Sequence, residues 1–248
     1  MRIDLLTSGS KGNSCLVRDG KTTILIDCGS TKKYLMDEFR NVDVKVNDIQ
    51  GVLITHAHTD HVSQLKHFAH LPVYSFCSLD AFKLADYRRI TPGTIFTIGT
   101  FTIRVIRLSH DSPNTIGFVI YNDLHKLVYI TDTGYIPNNE HAYLKDANYY
   151  ILESNHDIGM LMASSRPMYL KQRILGDSGH LCNELASKYL LSFIGERTKY
   201  VILAHISDEC NTIDRALDVF NDELSRNKHP FNGIVKAMPQ RTRYSIVD

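Results

Sequence analysis

The stretch GVLITHAHTDHV, residues 51–62, restricts the fold more than any other part of the chain. An apolar run ending in Thr55 reads as a buried strand, and its end delivers three histidines and an aspartate in the order H-A-H-T-D-H. Residues at i and i+2 of an extended loop point to one side, so His56 and His58 can both reach one cation. Asp60 and His61, adjacent at the start of the helical pattern HVSQLKHFAHL, can face a second cation beside the first. Burying so many ionisable groups without a common partner is costly, and a metal removes that cost. Imidazole and carboxylate accept zinc, manganese or iron, with zinc suited to a histidine-rich set.

The five cysteines are scattered and include no C-x-x-C pair, so they read as reduced thiols and leave metal binding to the histidines. The chain has 248 residues, 43% of them hydrophobic, which predicts one globular domain over residues 1–248. With a formal net charge of +1, contact with nucleic acid must rest on local basic clusters. MRIDLLTSGS lacks the apolar stretch of a secretory signal, and no window approaches the roughly 18 apolar residues of a membrane span. The expectation is a cytoplasmic protein with no membrane contact; oligomeric state is not legible.

Short β-branched runs (IDLL, CLVR, TTILID, GVLIT, FTIRVIRL, TIGFVIY, KLVYIT, YYILES, KYVILAH) predict strands. The patterns TKKYLMDEF, VSQLKHFAHL, LDAFKLADY, ELASKYLLSFI and IDRALDVFNDEL predict helices, with Asn183 and Thr212 as N-caps of the last two. This order favours an α/β chain with two sheets covered by helices.

H-x-H-x-D-H after such a strand resembles the signature of the metallo-β-lactamase fold, a four-layer αββα sandwich. Asp27 in LIDCG, His110 in LSHDS, Asp132 in YITDTG and His205 in ILAHIS follow at the ends of strand-like runs, as that family requires. The resemblance implies two divalent ions, zinc or manganese rather than iron. His56, His58 and His110 would hold one, Asp60, His61 and His205 the other, with Asp132 bridging and Asp27 orienting the histidine loop. TSGSKGNSCLV, ESNHD, RPMYLKQRI and SGHLCNELA further resemble the WalJ/YycJ group of small bacterial members, associated with 5′-exonuclease action on DNA. Glu153 and His180 stand too close in sequence to admit the β-CASP insertion of the RNA-processing relatives. Cys182 and Ile206 depart from the group's serine and leucine, at positions that touch no implied ligand.

The chemistry implied is in-line attack of a metal-bridging hydroxide on phosphorus, with Asp60 binding metal and orienting the nucleophile. His180 is the candidate proton donor to the leaving group, its glycine neighbour letting backbone approach a phosphate. Ser10, Lys11 and Asn13 in a glycine-bearing turn, Asn155 and His156 after Glu153, and the cluster Arg166, Lys171 and Arg173 are candidate substrate contacts, with Tyr169 placed to stack. The expected substrate is nucleic acid, DNA in particular. The alternatives are a small-molecule metallo-hydrolase (cyclic phosphodiester, thioester or lactone) and a regulatory module that keeps the fold without turnover. His67, His70, His125, His141 and His229 read as ordinary structural or surface residues.

Overall fold

Alternation of apolar side chains builds two sheets that share one core. The structure, a computed structural model, describes residues 1–247. In chain order the strands are β1 (Arg2–Thr7), β2 (Ser14–Asp19), β3 (Thr22–Ile26), β4 (Gly51–Ile54), β5 (Pro72–Ser75) and β6 (Asp86–Arg89). There follow β7 (Ile95–Ile98), β8 (Phe101–Arg107), β9 (Ile116–Tyr121), β10 (Lys126–Ile130), β11 (Tyr149–Glu153), β12 (Tyr200–Ala204), β13 (Ile234–Ala237) and β14 (Tyr244–Val247). The first sheet runs β14-β1-β2-β3-β4-β5-β6 and the second β13-β12-β11-β10-β9-β8-β7. Each is antiparallel from one edge to its middle, at β3 or β10, and parallel beyond it.

The helices are α1 (Lys32–Asn41), α2 (Thr59–Val62), α3 (His141–Leu144), α4 (Ile158–Ala163), α5 (Met168–Leu175), α6 (Asn183–Phe193) and α7 (Ile213–Arg226). Successive side chains of one strand enter different layers. Ile24 and Ile26 of β3 and Phe118 and Ile120 of β9 fill the core between the sheets. Leu25 packs outward with Leu35 and Phe39 of α1, and Val119 with Leu190 of α6 and Phe220 of α7. Each fully buried side chain of this kind contributes roughly 2 kcal/mol, so a one-residue slip of register is strongly disfavoured. The predicted αββα order is thus present.

Two predicted helices are not. VSQLKHFAHL gives only the four-residue α2 and a 3-10 turn at Leu65–His67. The carbonyls that would extend α2 are taken elsewhere: Asp60 O accepts from Asn13 N at 2.8 Å and His61 O from Cys28 N at 2.8 Å. LDAFKLADY ends in strand β6, because Lys83 turns into the left-handed region and the chain then pairs with β5. Asn183 is the first residue of α6, not its cap; its side-chain oxygen Oδ1 accepts from Ser154 Oγ at 2.7 Å instead. Thr212 caps α7 as expected, accepting from Arg215 N.

The parallel strands β3, β4, β10, β11 and β12 point the same way within their sheets, so their carboxyl ends gather five loops along one edge. That edge carries Asp27, the histidine loop, Asp132, Glu153 and His205. Between Glu153 and His180 the chain holds only α4 and α5.

Candidate metal centre

Strand ends alone do not aim a side chain, and here the backbone bends to do so. Asp27, Asp132 and His205 adopt φ of 54°, 55° and 53°, the left-handed region that few non-glycine residues enter. Each lies within two residues of a strand's last position, so the turn throws its side chain across the sheet edge. Strain held at three such points marks a built site.

The donor atoms gather in three groups, each within 4.8 Å internally: His56, His58 and His110; Asp60, His61, Asp132 and His205; and Asp132, Glu153, His180 and His205. The first two are the ligand sets expected from the sequence. Asp132 lies between them: its carboxylate is 3.0 Å from His61 Nε2, 3.4 Å from His205 Nε2 and 3.9 Å from His110 Nε2. None of the five histidines read as ordinary enters a group.

Whether the residues fit a metal is decided by what their buried atoms lack. His56 Nε2 and His205 Nε2 are buried with no hydrogen-bond partner, an arrangement that costs free energy unless a ligand completes it. The opposite ring nitrogens are held. His61 Nδ1 meets Asp27 Oδ2 at 2.8 Å, and Asp27 also accepts from Thr55 N at 2.9 Å. His110 Nδ1 donates to Gly179 O at 3.0 Å, and His205 Nδ1 meets Glu153 Oε1 at 2.8 Å. Fixing Nδ1 as donor leaves Nε2 as a free lone pair facing inward, the form a divalent cation needs. The donor set of five imidazoles and two carboxylates fits divalent metal binding.

The electrostatics agree. Burial raises the Asp27 carboxyl despite its His61 and Thr55 contacts. Asp132 is also fully buried, but His205, His61 and His56 hold it well below the usual carboxylate range. Burial and the neighbouring His61 push His56 well below its ordinary value, which favours the neutral ring that could offer a lone pair to a cation.

Glu153 was not singled out from the sequence as part of the site. It is fully buried, and its two oxygens bond His180 Nδ1 at 2.7 Å, His205 Nδ1 at 2.8 Å and the amides of Thr133 and Leu181. His180, His205, and their hydrogen bonds outweigh its burial and hold it down at about 2. Glu153 thus does for His205 and His180 what Asp27 does for His61. Glu153→Gln is expected to weaken metal affinity by about 10- to 100-fold, measured by competition with a chromophoric chelator; unchanged affinity would refute the orienting role. Asp111 was also missed. Its Oδ1 lies 3.2 Å from His110 Nε2 and 3.6 Å from His58 Nε2, and its other oxygen pairs with Arg173.

The candidate substrate contacts fare unevenly. Asn13 is corrected: it is fully buried, with its amide nitrogen on Asp60 Oδ2 at 3.2 Å and beside His61 Nε2 at 2.9 Å, so it braces the centre from within. Lys171 is corrected too: its ammonium is spent on the carbonyls of Met162 at 2.6 Å and Ser164 at 2.8 Å. Ser10 and Lys11 are exposed near Asp60, with Lys11 paired to Asp208. Asn155, His156, Arg166, Arg173 and His180 line one cavity beside the centre. Arg166 pairs with Glu209, and Tyr169 stands 73% exposed.

Among the described residues Arg241, which makes no ion pair, lines the pocket shared by Lys11 and Asp60, and Arg104, also unpaired, stacks on Tyr143; two more unpaired arginines lie elsewhere. Arg89, at the end of β6, and Arg107, at the end of β8, both lie over the Phe76 ring, at 5.8 and 5.9 Å from its centroid, and neither makes an ion pair among the described residues. Arg107 closes the predicted strand FTIRVIRL, but nothing in the sequence marked Arg89, whose strand was not predicted.

A family model described as the β-lactamase superfamily domain matches residues 22–206. The chain is 34% identical over 222 residues to exodeoxyribonuclease YycJ of Bacillus anthracis, covering 85% of this chain and 84% of that one. It is 30% identical over 238 residues to exodeoxyribonuclease WalJ of Streptococcus pneumoniae, covering 91% and 88%. Among solved structures, the metallo-β-lactamase fold protein YhfI of Bacillus subtilis superposes with a TM-score of 0.70 at 18% identity, over 98% of each chain. With its ligand loop, its strand-end aspartates and this span of matching sequence, the chain belongs to the β-lactamase superfamily, in the branch that adopts the metallo-β-lactamase fold.

Proposed function

We propose that this metal-dependent hydrolase is a nuclease that removes nucleotides from the 5′ end of DNA with two divalent ions, zinc or manganese. The observation that carries the reading is the division of seven donors into two sets of three about Asp132. The names of the relatives YycJ and WalJ support a DNA substrate. So do Arg89 and Arg107, which present unpaired charge on an aromatic ring at the same edge and are suited to a phosphate backbone. Among the described residues no helix is long and apolar enough to cross a membrane.

His56, His58 and His110 would hold one ion and Asp60, His61 and His205 the other, shared through Asp132. When bound, the pair supplies Lewis acidity and acidified water for phosphodiester hydrolysis. The chain does the rest. Asp27 and Glu153 fix imidazole orientation, and Asn13 holds the Asp60 carboxylate in place through its amide. Asp60, whose carboxylate is held below the usual range, accepts a proton-bearing nucleophile and orients it. His180 has Nδ1 committed to Glu153, which leaves Nε2 to deliver a proton to the leaving oxygen. Half-exposed His58 marks where substrate enters.

The test is cleavage of single-stranded and duplex oligonucleotides with a labelled 5′-phosphate in manganese or zinc. Wild-type protein is expected to release 5′ nucleotides stepwise, and Asp60→Ala to lose about a thousandfold or more in turnover. No release by a protein shown to carry its metal would overturn the reading.

A further inference from the structure

The cavity beside the centre is lined by more than the mechanism uses. Its volume is about 160 Å³, and it opens onto His180 and His205 on one side. Leu161, Leu170, Ile174 and Ile206 give it an apolar wall. Two polar groups in that wall have no partner. His156 is 1% exposed and neither ring nitrogen makes a hydrogen bond. Arg166 gives a terminal nitrogen to Glu209 at 2.9 Å, but its Nε is buried and unbonded. Buried polar atoms are nearly always satisfied, so two such residues on one cavity point to a missing ligand with complementary polar atoms.

We propose that this cavity is a subsite for one nucleoside monophosphate unit, with Arg166 binding its phosphate and His156 the polar edge of its base. The proposal rests on the nuclease reading and deepens it by placing the terminal nucleotide. A guanidinium Nε matches a phosphate oxygen as a charged donor. Burial holds His156 down at about 4, so its ring is neutral and offers one donor and one acceptor, the pattern a base edge requires. The aliphatic wall suits the face of the base. Lys171 and Arg173, on the following helix α5, cannot substitute, since the first is bound to carbonyls and the second to Asp111.

The test is calorimetric titration of metal-loaded protein with 2′-deoxyadenosine 5′-monophosphate, and separately with inorganic phosphate and with deoxyadenosine. Arg166→Met is expected to weaken the nucleotide by about tenfold or more and His156→Leu by a similar factor. The arginine variant should spare deoxyadenosine and the histidine variant should spare phosphate. If the occupant is the end of a strand, Arg166→Met raises KM for a 5′-phosphorylated oligonucleotide and leaves kcat near that of wild type. If it is the released product, the same change relieves inhibition by the nucleotide and leaves KM unaltered. Nucleotide affinity unchanged in both variants, with DNA still cleaved, would overturn the subsite and leave the nuclease reading standing. Arg166-dependent nucleotide binding in a protein that cleaves no DNA would keep the subsite and overturn the nuclease reading.

Discussion

Gly29→Ala is expected to strip the protein of metal and to destabilise it by about 3 kcal/mol or more. A β-carbon built there would lie 1.5 Å from the carbonyl oxygen of Asp60, 2.3 Å from its carbonyl carbon and 2.9 Å from Asn13 N. All three are backbone atoms, so no flexible side chain can swing away. They are close because the chain is stitched together at this point. Asn13 N donates to Asp60 O, Gly29 N to Asn13 O, and Cys28 N to His61 O, each within 2.9 Å. Relief must move the short helix that carries Asp60 and His61, and a misplacement of about 1 Å there costs about a hundredfold in turnover. Elemental analysis and a melting curve check this. Gly176→Ala, whose nearest neighbour would be 3.3 Å away, serves as the control. A Gly29→Ala protein with wild-type metal content and melting temperature would refute the argument.

The same stitching shows what the sequence could and could not reveal. H-A-H-T-D-H announced the centre because ligand types were packed into six positions directly after a strand. Asp27, Asp132 and His205 were legible through their place at strand ends, although their left-handed backbone was not. The length of α2 was illegible, since the residues that divert its carbonyls, Asn13 and Cys28, lie more than thirty positions away along the chain. Glu153 and Asp111 were missed as parts of the centre for a related reason. Nothing local separates a carboxylate that holds histidines from a solvated one; only the fold brings Glu153 to His180 and His205. The basic cluster after ESNHD misled because charge in sequence says nothing about pairing. Lys171 faces carbonyls, whereas Arg89 and Arg107, from different strands, share Phe76. Strands β5, β6, β7, β13 and β14 were passed over because each is only four residues long, too short to show a period, and all but β5 are only partly buried.

Chelating the metal is expected to lower the melting temperature, and the gap between loaded and metal-free protein should widen as pH rises from about 6.5 to about 10. In the metal-free protein burial disfavours the charged form of His205, but Asp132, Asp60 and Glu153 outweigh it and raise the ring to about 10. His61 is raised well above its ordinary value by Asp27 and Asp132 against the same burial. A histidine raised on folding stabilises the fold fully below its unfolded value of 6.5, and that stabilisation is lost as pH climbs through the folded value. The metal-free protein therefore weakens across this window. Metal and proton compete for the same Nε2 atoms, so metal affinity strengthens across the same window as protons leave. These are one linkage seen from two sides, since the proton that stabilises the metal-free fold is the one the metal displaces; it widens the gap, and metal at about a thousand times its Kd adds about 4 kcal/mol to the loaded form. Calorimetric scans at three pH values, with and without chelator, measure it. A gap that stays constant or narrows would show that the stabilising ion is not held by His61 and His205. Glu153→Gln gives the internal check: with one of the carboxylates that favour the His205 proton neutralised, the gap should depend less steeply on pH than in the wild type.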